Sequence, residues 1–581
     1  MYIRSVEIEN YRAFKDFRIE LSSLSLIIGE NEAGKTNLFD ALALPLNSND
    51  ISFNKKRLSV SDINRKAISE FYQAIIDGKT DEEIKALIPK VRIEIEFTDP
   101  KGEFQKQVIS KWICGDIADS SHRIKYESAP KDEDDFITVV KQTLDGITNI
   151  DDSHWFTLPV DLYDYAITSI NNGKKIGYND LKHIAINSIN ADRDDFAESQ
   201  TQKSNDILTK MLVSSLSATE KTDINNAYIS FFEAIEDTKT FEKIVKPEPD
   251  FENFFDHLDQ NECIPNLPNL KSILSNITLQ SGDSYLYQRG LGYRNLVYIF
   301  LLFEFFKSSD LQFNLCCIEE PEAHLSVNNL RVATDFIYKS ATANQEDGKL
   351  QTLISSHNPQ VINKLQLSNV IVVSGDNAIH LNDVDDDLTN YLRKRPNFDI
   401  LKLLFSDRTI LVEGTTEEML INSILSSDEE NLHRVEVISI GQKGFRTFMD
   451  IWLQINKDND KKRLGIIRDF DNQQGAKDDH DAYDAAHNNI RVRTTVAYTL
   501  ENDLVAASAN LANLKRVFEG HDDDDIDEMS QHLIDNKAET MLEICDAILK
   551  VGKEEGEEEE ELIEIVLPPH IQEVVDFMTN D

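Results

Sequence analysis

Gly29-Glu-Asn-Glu-Ala-Gly34-Lys35-Thr36 is the stretch on which the reading of the chain's first half turns. It is a complete G-x-x-x-x-G-K-T pattern, preceded by the apolar residues Leu24, Leu26, Ile27 and Ile28 and followed by a helical stretch from Asn37 to Leu44. In a strand–loop–helix of this kind, consecutive backbone N–H groups and the helix N-terminus converge on one place and cradle phosphate oxygens. Gly29, Asn31 and Gly34 belong to the loop and Asn37 lies just past it. Lys35 is expected at the β- and γ-phosphates and Thr36 as a hydroxyl ligand of Mg2+, so the predicted cofactor is ATP. A glycine turn arising by chance is the alternative, and the flanking strand and helix speak against it.

Working outward, Leu315-Cys-Cys-Ile318-Glu319-Glu320-Pro-Glu322-Ala-His324 reads as a buried parallel strand that delivers two acids at its C-terminal edge. Glu319 is expected to orient magnesium and Glu320 to polarise the attacking water. Alone, such a pair could open a helix; with a phosphate loop upstream, the catalytic reading prevails. Leu353-Ile-Ser355-Ser356-His357 is a second apolar strand, ending in a histidine placed to sense the γ-phosphate, although a lone histidine is ordinarily a surface or core residue. A glycine-rich stretch, Gln288-Arg-Gly290-Leu-Gly292-Tyr-Arg294-Asn295, precedes an apolar helix.

This order of motifs resembles the ABC-type ATPases of the SMC and overcoming-lysogenization-defect groups. The resemblance implies that Gly290 and Gly292 of one copy complete the nucleotide site of another, so that the chain acts as a homodimer or higher homo-oligomer. Leu291 stands where those families place a serine against the γ-phosphate. ATP binding as a switch is therefore expected ahead of rapid hydrolysis.

After residue 400 the pattern becomes short apolar strands alternating with helices. Ile410-Leu-Val-Glu413-Gly414-Thr-Thr-Glu417 and Ile466-Ile-Arg-Asp469-Phe-Asp471 place acids at two strand ends. Clustered carboxylates hold divalent cations, which neutralise a phosphodiester and activate water. Glu413, Asp469 and Asp471 are the expected ligands, joined by Glu417 on the first helical turn. Either motif alone is weak, since E-G-x-x-E and D-x-D both occur by chance. In this order they resemble the Toprim domain, which implies two further residues: Glu501 as an additional metal ligand and Lys537 as a cation that stabilises phosphate charge.

The expected fold class is α/β: an ABC-type P-loop ATPase with a helical insertion, followed by a C-terminal Toprim β/α domain. The boundaries read as 1–195 and 276–400 for the two ATPase parts, 196–275 for the insertion and 401–581 for the Toprim domain. Val91–Phe97 and Ile184–Ile189 are expected strands, the latter delivering Asp192-Arg193-Asp194 to an edge. Expected helices of the insertion are Asp206–Leu216, Thr219–Asp237 and Phe251–Gln260, a surface for dimerisation without the sustained heptads of a coiled-coil arm.

ATPase and Toprim motifs in this order are similar to the overcoming-lysogenization-defect family over nearly the whole chain. The resemblance implies a DNA endonuclease dependent on Mg2+ or Mn2+ and regulated by ATP, with antiviral defence as its setting. It also implies a partner protein in some members, such as a helicase-like subunit or a retron reverse transcriptase with its RNA–DNA hybrid. An SMC-like DNA-holding protein that does not cut is the alternative from another class. A topoisomerase would need a tyrosine nucleophile in a separate DNA-gate domain, and none is expected after the Toprim region that begins near residue 401; a primase often brings a zinc module, for which no cysteine cluster exists.

Composition narrows the rest. With 60 basic and 104 acidic residues in 581, the net charge is −44, which repels nucleic acid overall. DNA binding therefore requires local basic surfaces and bound cations. Candidates are Lys55–Arg57, Lys461–Arg463, and Arg491 with Arg493, though solvated surface is the commoner fate of such groups. The acidic runs Asp522–Asp525 and Glu554–Glu561 read as solvated, and Asp478–His487 as an exposed loop. No stretch is long and apolar enough for a membrane span, and strand-like sequence begins at once with no secretory signal. Cys114, Cys263, Cys316, Cys317 and Cys545 form no C-x-x-C pair and read as reduced thiols of a cytoplasmic protein.

Overall fold

The computed structural model describes residues 1–46, 56–114, 121–189, 206–238, 269–275, 277–308, 311–343, 348–381, 398–426, 429–441, 444–457, 459–549 and 565–580. Asp192–Asp194, the helix expected at 251–260, Cys263, Lys55 and the run Glu554–Glu561 lie outside them. The chain forms two compact units, one of residues 1–25 and 34–356, the other of residues 26–33 and 357–581.

The strands in chain order are β1 (Tyr2–Tyr11), β2 (Phe14–Glu20), β3 (Leu24–Gly29), β4 (Val91–Thr98), β5 (Ile113–Cys114), β6 (Ser121–Pro130), β7 (Tyr163–Ser169), β8 (Ile184–Ile189) and β9 (Gln280–Ser281). There follow β10 (Ser284–Tyr285), β11 (Phe313–Glu319), β12 (Leu350–Ser355), β13 (Val370–Ser374), β14 (Asn377–His380), β15 (Arg408–Val412), β16 (Val435–Ser439), β17 (Arg463–Arg468) and β18 (Ile490–Thr494).

In the first unit, β2-β1-β4-β6-β5 form an antiparallel sheet, with β7 also on β6. Alternation explains it. Val6 sits opposite Ile19 and Ile95, and Ile8 opposite Phe17 and Ile93, so one face collects buried apolar side chains. Strands β8, β11 and β12 pair in parallel, with β11 between the other two. Leu315, Cys316, Cys317 and Ile318 are wholly buried there, as a strand covered on both faces requires. Burial pushes the Cys317 thiol well above its ordinary pKa, which keeps it protonated and inert. Cys316, Cys317 and Cys545 are buried thiols outside any disulfide. Helices form at Asp206–Ser215 and Ala218–Glu236.

In the second unit, β3 runs parallel to β13, and β14 returns antiparallel on β13. Four parallel strands make a further sheet in the order β16-β15-β17-β18. The chain leaves β15 towards one edge, then crosses back to build the other. The crevice beyond the C-terminal ends of β15 and β17 is therefore a topological switch point, where α/β sheets gather ligands. The helix Pro569–Thr579 covers β17 at Gly465, where a Cβ would stand 2.6 Å from Val574 Cγ1 and 2.7 Å from Met578 Cε.

Two expectations change. The stretch 478–487 is not a loop: Gln474–Ala486 is a helix whose His480 is buried against Arg468, 3.0 Å from Nδ1 to the guanidinium. Arg491 and Arg493 are spent internally. Both reach Asp484, and Arg493 also holds Glu573, fastening the helices on either side to β18. Arg463 likewise donates to the Phe577 carbonyl at 2.7 Å. Among the described residues no helix is long and apolar enough to cross a membrane.

Candidate active site

Strand β15 ends at Val412 and puts Glu413 at the switch point; β17 ends at Arg468 and puts Asp469 beside it. The Asp469 backbone N–H donates to Glu413 Oε1 at 3.1 Å, so one carboxylate reaches across to the neighbouring strand end. Asp469 Oδ1 in turn accepts from the N–H of Leu500 at 2.9 Å. That bond fixes the start of the helix Leu500–Ala506, whose second residue is Glu501. Gly414 caps the helix Thr415–Leu425. Glu417 turns back so that its Oε2 accepts from the Gly414 N–H and the Thr416 hydroxyl, each at 3.0 Å. A Cβ on Gly414 would stand 2.9 Å from that oxygen, so any larger residue there would push the Glu417 carboxylate aside. Asp471 adopts φ +48° and Asn472 φ +56°, left-handed backbone that only a tightly held turn keeps.

The electrostatics follow from packing these acids together. Burial, and then the charges of Asp471 and Glu417, lift the Glu413 carboxyl to about 7 against the pull of the Asp469 N–H and Arg468. Burial, with Glu417, Glu413 and Glu501, lifts Asp469 to about 8, and Lys537 opposes that rise. Lys537 opens the helix Lys537–Leu549, and its Nζ stands 3.1 Å from Glu501 Oε1. Burial would lower the lysine, but Glu501, Asp469 and Glu417 prevail and raise it. Glu501 is 1% exposed and its Oε2 accepts no hydrogen bond among the described residues. Negative groups in excess of the one lysine, with an orphaned buried oxygen among them, fit a divalent cation. Among the described residues, no three ligating side chains already close on a common point. Glu417 is partly committed to its helix cap.

The phosphate loop leaves β3 and enters the helix Lys35–Leu46. Both glycines are forced by contact: a Cβ on Gly29 would lie 2.5 Å from the Val373 carbonyl oxygen, and one on Gly34, at φ +96°, 2.6 Å from the Phe14 ring. Thr36 Oγ1 is 3.4 Å from Glu319 Oε2 at the end of β11. Burial lowers the Lys35 ammonium, and Glu320 acts against this. Glu320 has φ +45°, and its N–H donates to the Ser355 carbonyl at 2.9 Å, tying it to the tip of β12. Asn31 is exposed, and the Asn37 amide oxygen accepts from Arg12 at 3.4 Å. Gly290 faces open space, whereas Gly292 packs so closely that a Cβ would lie 2.4 Å from the His324 carbonyl oxygen. His357 directly precedes Asn358, which caps the helix Pro359–Leu365. In the second unit, Lys462 donates to Glu30 of the loop at 3.0 Å and to the Phe405 carbonyl at 2.6 Å. The basic cluster Lys461–Arg463 is thus engaged internally through two of its members.

A profile of the AAA ATPase domain matches residues 1–362, and one described as the overcoming lysogenization defect protein-like Toprim domain matches residues 404–471. The chain belongs to the overcoming-lysogenization-defect family of ATPase–Toprim nucleases. Endonuclease GajA of Bacillus cereus (strain HuB5-5) is 23% identical to this nuclease, across 80% of this chain and 78% of that protein. Solved structures similar to the chain include the SMC head domain from Thermotoga maritima, at 10% identity, covering 65% of this chain and 97% of that one, with a TM-score of 0.26. Stu0660 of Streptococcus thermophilus is 10% identical, with 77% and 99% covered and a TM-score of 0.34.

Sequence reading passed over the residues that hold the acids in place. Thr495 Oγ1 accepts from the Phe470 N–H at 2.8 Å, inside the D-x-D turn. Asp503 takes the N–H groups of Val496 and Ala497 at 2.6 and 2.7 Å and faces His570 Nδ1 at 3.2 Å. The only sequence signal was Asp503 two places after Glu501, a spacing shared by countless helix starts.

Proposed function

We propose that this nuclease cleaves DNA as an endonuclease, with Mg2+ or Mn2+ held by Glu413, Glu417, Asp469, Asp471 and Glu501. The observation that carries this is the bond from the Asp469 N–H to the Glu413 carboxylate, which joins two strand ends in one acid cluster. When bound, the cation would supply charge neutralisation for the phosphate and a reactive water. The chain's own residues do the rest. Lys537, beside Glu501, places positive charge where the phosphate gains negative charge during cleavage. The hydrogen bonds to Asp469 and Glu413 restrain these two carboxylates, and the remaining ligands close on the cation when it binds.

ATP binds at Gly29, Asn31, Gly34, Lys35, Thr36 and Asn37, with Glu319 completing the magnesium shell, Glu320 polarising water and His357 reading the γ-phosphate. Nucleotide binding governs assembly or access to DNA, with Gly290 and Gly292 serving a second copy. Gly290, open to solvent, supports that role better than Gly292. The domain limits 1–195, 196–275, 276–400 and 401–581, dimerisation through 196–275, a cytoplasmic antiviral role and a helicase-like or retron partner complete the reading. Supercoiled plasmid, incubated with and without Mg2+, Mn2+ and ATP, tests it. Wild type nicks or linearises the plasmid only with metal, and Lys35→Ala alters the ATP effect or the assembly. Cutting by Asp469→Ala at the wild-type rate would sink the site.

A further inference from the structure

Between β18 and the helix Leu500–Ala506 runs a five-residue segment, Thr495–Thr499, every backbone anchor of which serves the acid cluster or its supports. The Thr495 N–H donates to the Arg468 carbonyl at 3.0 Å, and its hydroxyl bridges the Phe470 N–H and the Ala497 carbonyl at 2.8 and 3.0 Å. Asp503 holds the next two N–H groups. The Tyr498 carbonyl accepts from the Asp471 N–H at 3.3 Å, and the Thr499 N–H donates to Asn502 Oδ1 at 3.3 Å. The inner side of the loop is therefore divided between the turn that carries Asp469 and Asp471 and the helix that carries Glu501.

Its outer side is apolar. Val496 is 84% exposed and Tyr498 52% exposed. Single exposed apolar residues are ordinary on protein surfaces. These two differ because they alternate on a backbone held by so many bonds, beside a site that must grip a polyanion in a chain of charge −44. Arg491 and Arg493, on the strand that leads into the loop, are spent on Asp484 and Glu573, and Arg468 is engaged by the Asp469 carbonyl and His480. Stacking and apolar contact with base and sugar faces need no net positive charge, and an aromatic ring offers them with few rotatable bonds to freeze.

We propose that Val496 and Tyr498 form a platform for the nucleotide beside the scissile phosphate, with Tyr498 stacking on an unpaired or splayed base and Val496 packing on its sugar. The proposal rests on the reading of the acid cluster as the DNA-cleaving centre. A ring can stack on a base face only where that base is free of its neighbour, so the substrate class is DNA with unstacked nucleotides: single strands, flaps, bubbles or frayed ends. The rigid loop sets the distance from this base to the carboxylates and so selects which linkage is cut.

The test is steady-state cleavage, with Mn2+, of a bubble-containing oligonucleotide and its fully paired counterpart by the full chain. Binding is followed alongside by the fluorescence of 2-aminopurine placed in the bubble. Tyr498→Ala should raise KM for the bubble about tenfold with kcat nearly unchanged, and should abolish both the preference over paired DNA and the fluorescence change on binding. Tyr498→Phe should restore all three, and Val496→Ser should give a smaller rise in KM. Thermal denaturation checks that the variants are folded. The proposal is overturned if folded Tyr498→Ala keeps the wild-type KM and fluorescence change, if its loss is confined to kcat, or if Tyr498→Phe is as impaired as Tyr498→Ala. Asp469→Ala runs in parallel: if it cleaves like wild type, the reading of the cutting centre has failed, whereas a dead Asp469→Ala with an indifferent Tyr498→Ala condemns the platform alone.

Discussion

The phosphate loop and the acid cluster solve opposite electrostatic problems by opposite means. The loop prepares for an anion with backbone: Gly29 and Gly34 bring the main chain against the Val373 carbonyl and the Phe14 ring, closer than any side chain permits. The cluster prepares for a cation with side chains, gathering Glu413, Glu417, Asp469 and Glu501 from elements far apart in the chain. A backbone site is encoded contiguously and fails by steric intrusion. A side-chain site is encoded piecemeal and fails by loss of charge or of the bonds that aim it.

The sharpest way to break this contrast is at Asp469. Asp469→Ala should lower metal-dependent cleavage by on the order of a hundredfold to a thousandfold, read as plasmid nicking, while nucleotide binding by titration calorimetry persists. Gly34→Ala should do the reverse. A methyl group at φ +96° against Phe14 strains the backbone by about 1–3 kcal/mol, and ATP affinity should fall at least tenfold while basal metal-dependent nicking in the absence of nucleotide remains. If Gly34→Ala binds ATP normally, the loop is not shaped by backbone proximity.

A finer distinction concerns the aiming bonds. Asp503→Ala removes no proposed ligand, yet it frees the N–H groups of Val496 and Ala497. Cleavage should fall by about tenfold to a hundredfold, with the required metal concentration rising in a titration, as when a group supporting a ligand is lost. The smallest effect is expected at Gly465→Ala, where the added methyl meets Val574 and Met578. Overpacking of this kind costs about 1–3 kcal/mol, visible as a lower Tm with little change in nucleotide affinity.

The same contrast explains what the sequence disclosed. The G-x-x-x-x-G-K-T loop is legible because strand, loop and helix are adjacent in the chain. Glu413 and Asp469 were legible as strand-end acids because the apolar runs before them mark buried parallel strands. The strand order that makes them neighbours is non-local, and so is the pairing of Asp503 with His570. Arg491 and Arg493 read as solvated surface or as candidates for a DNA contact because their partners, Asp484 and Glu573, lie on other elements. The helix at 474–486 was hidden by its charge. Ala476, Ala482, Ala485 and Ala486 favour helix strongly, and His480 finds a buried place against Arg468 that no local pattern announces.

The close seat of the helix Pro569–Thr579 on Gly465 has a temporal consequence. During translation, the strand bearing Asp469 emerges more than a hundred residues before the segment that roofs it, and chains assemble their cores as segments leave the ribosome. A nascent polypeptide can already have made its phosphate loop while its cutting centre still lacks a finished scaffold.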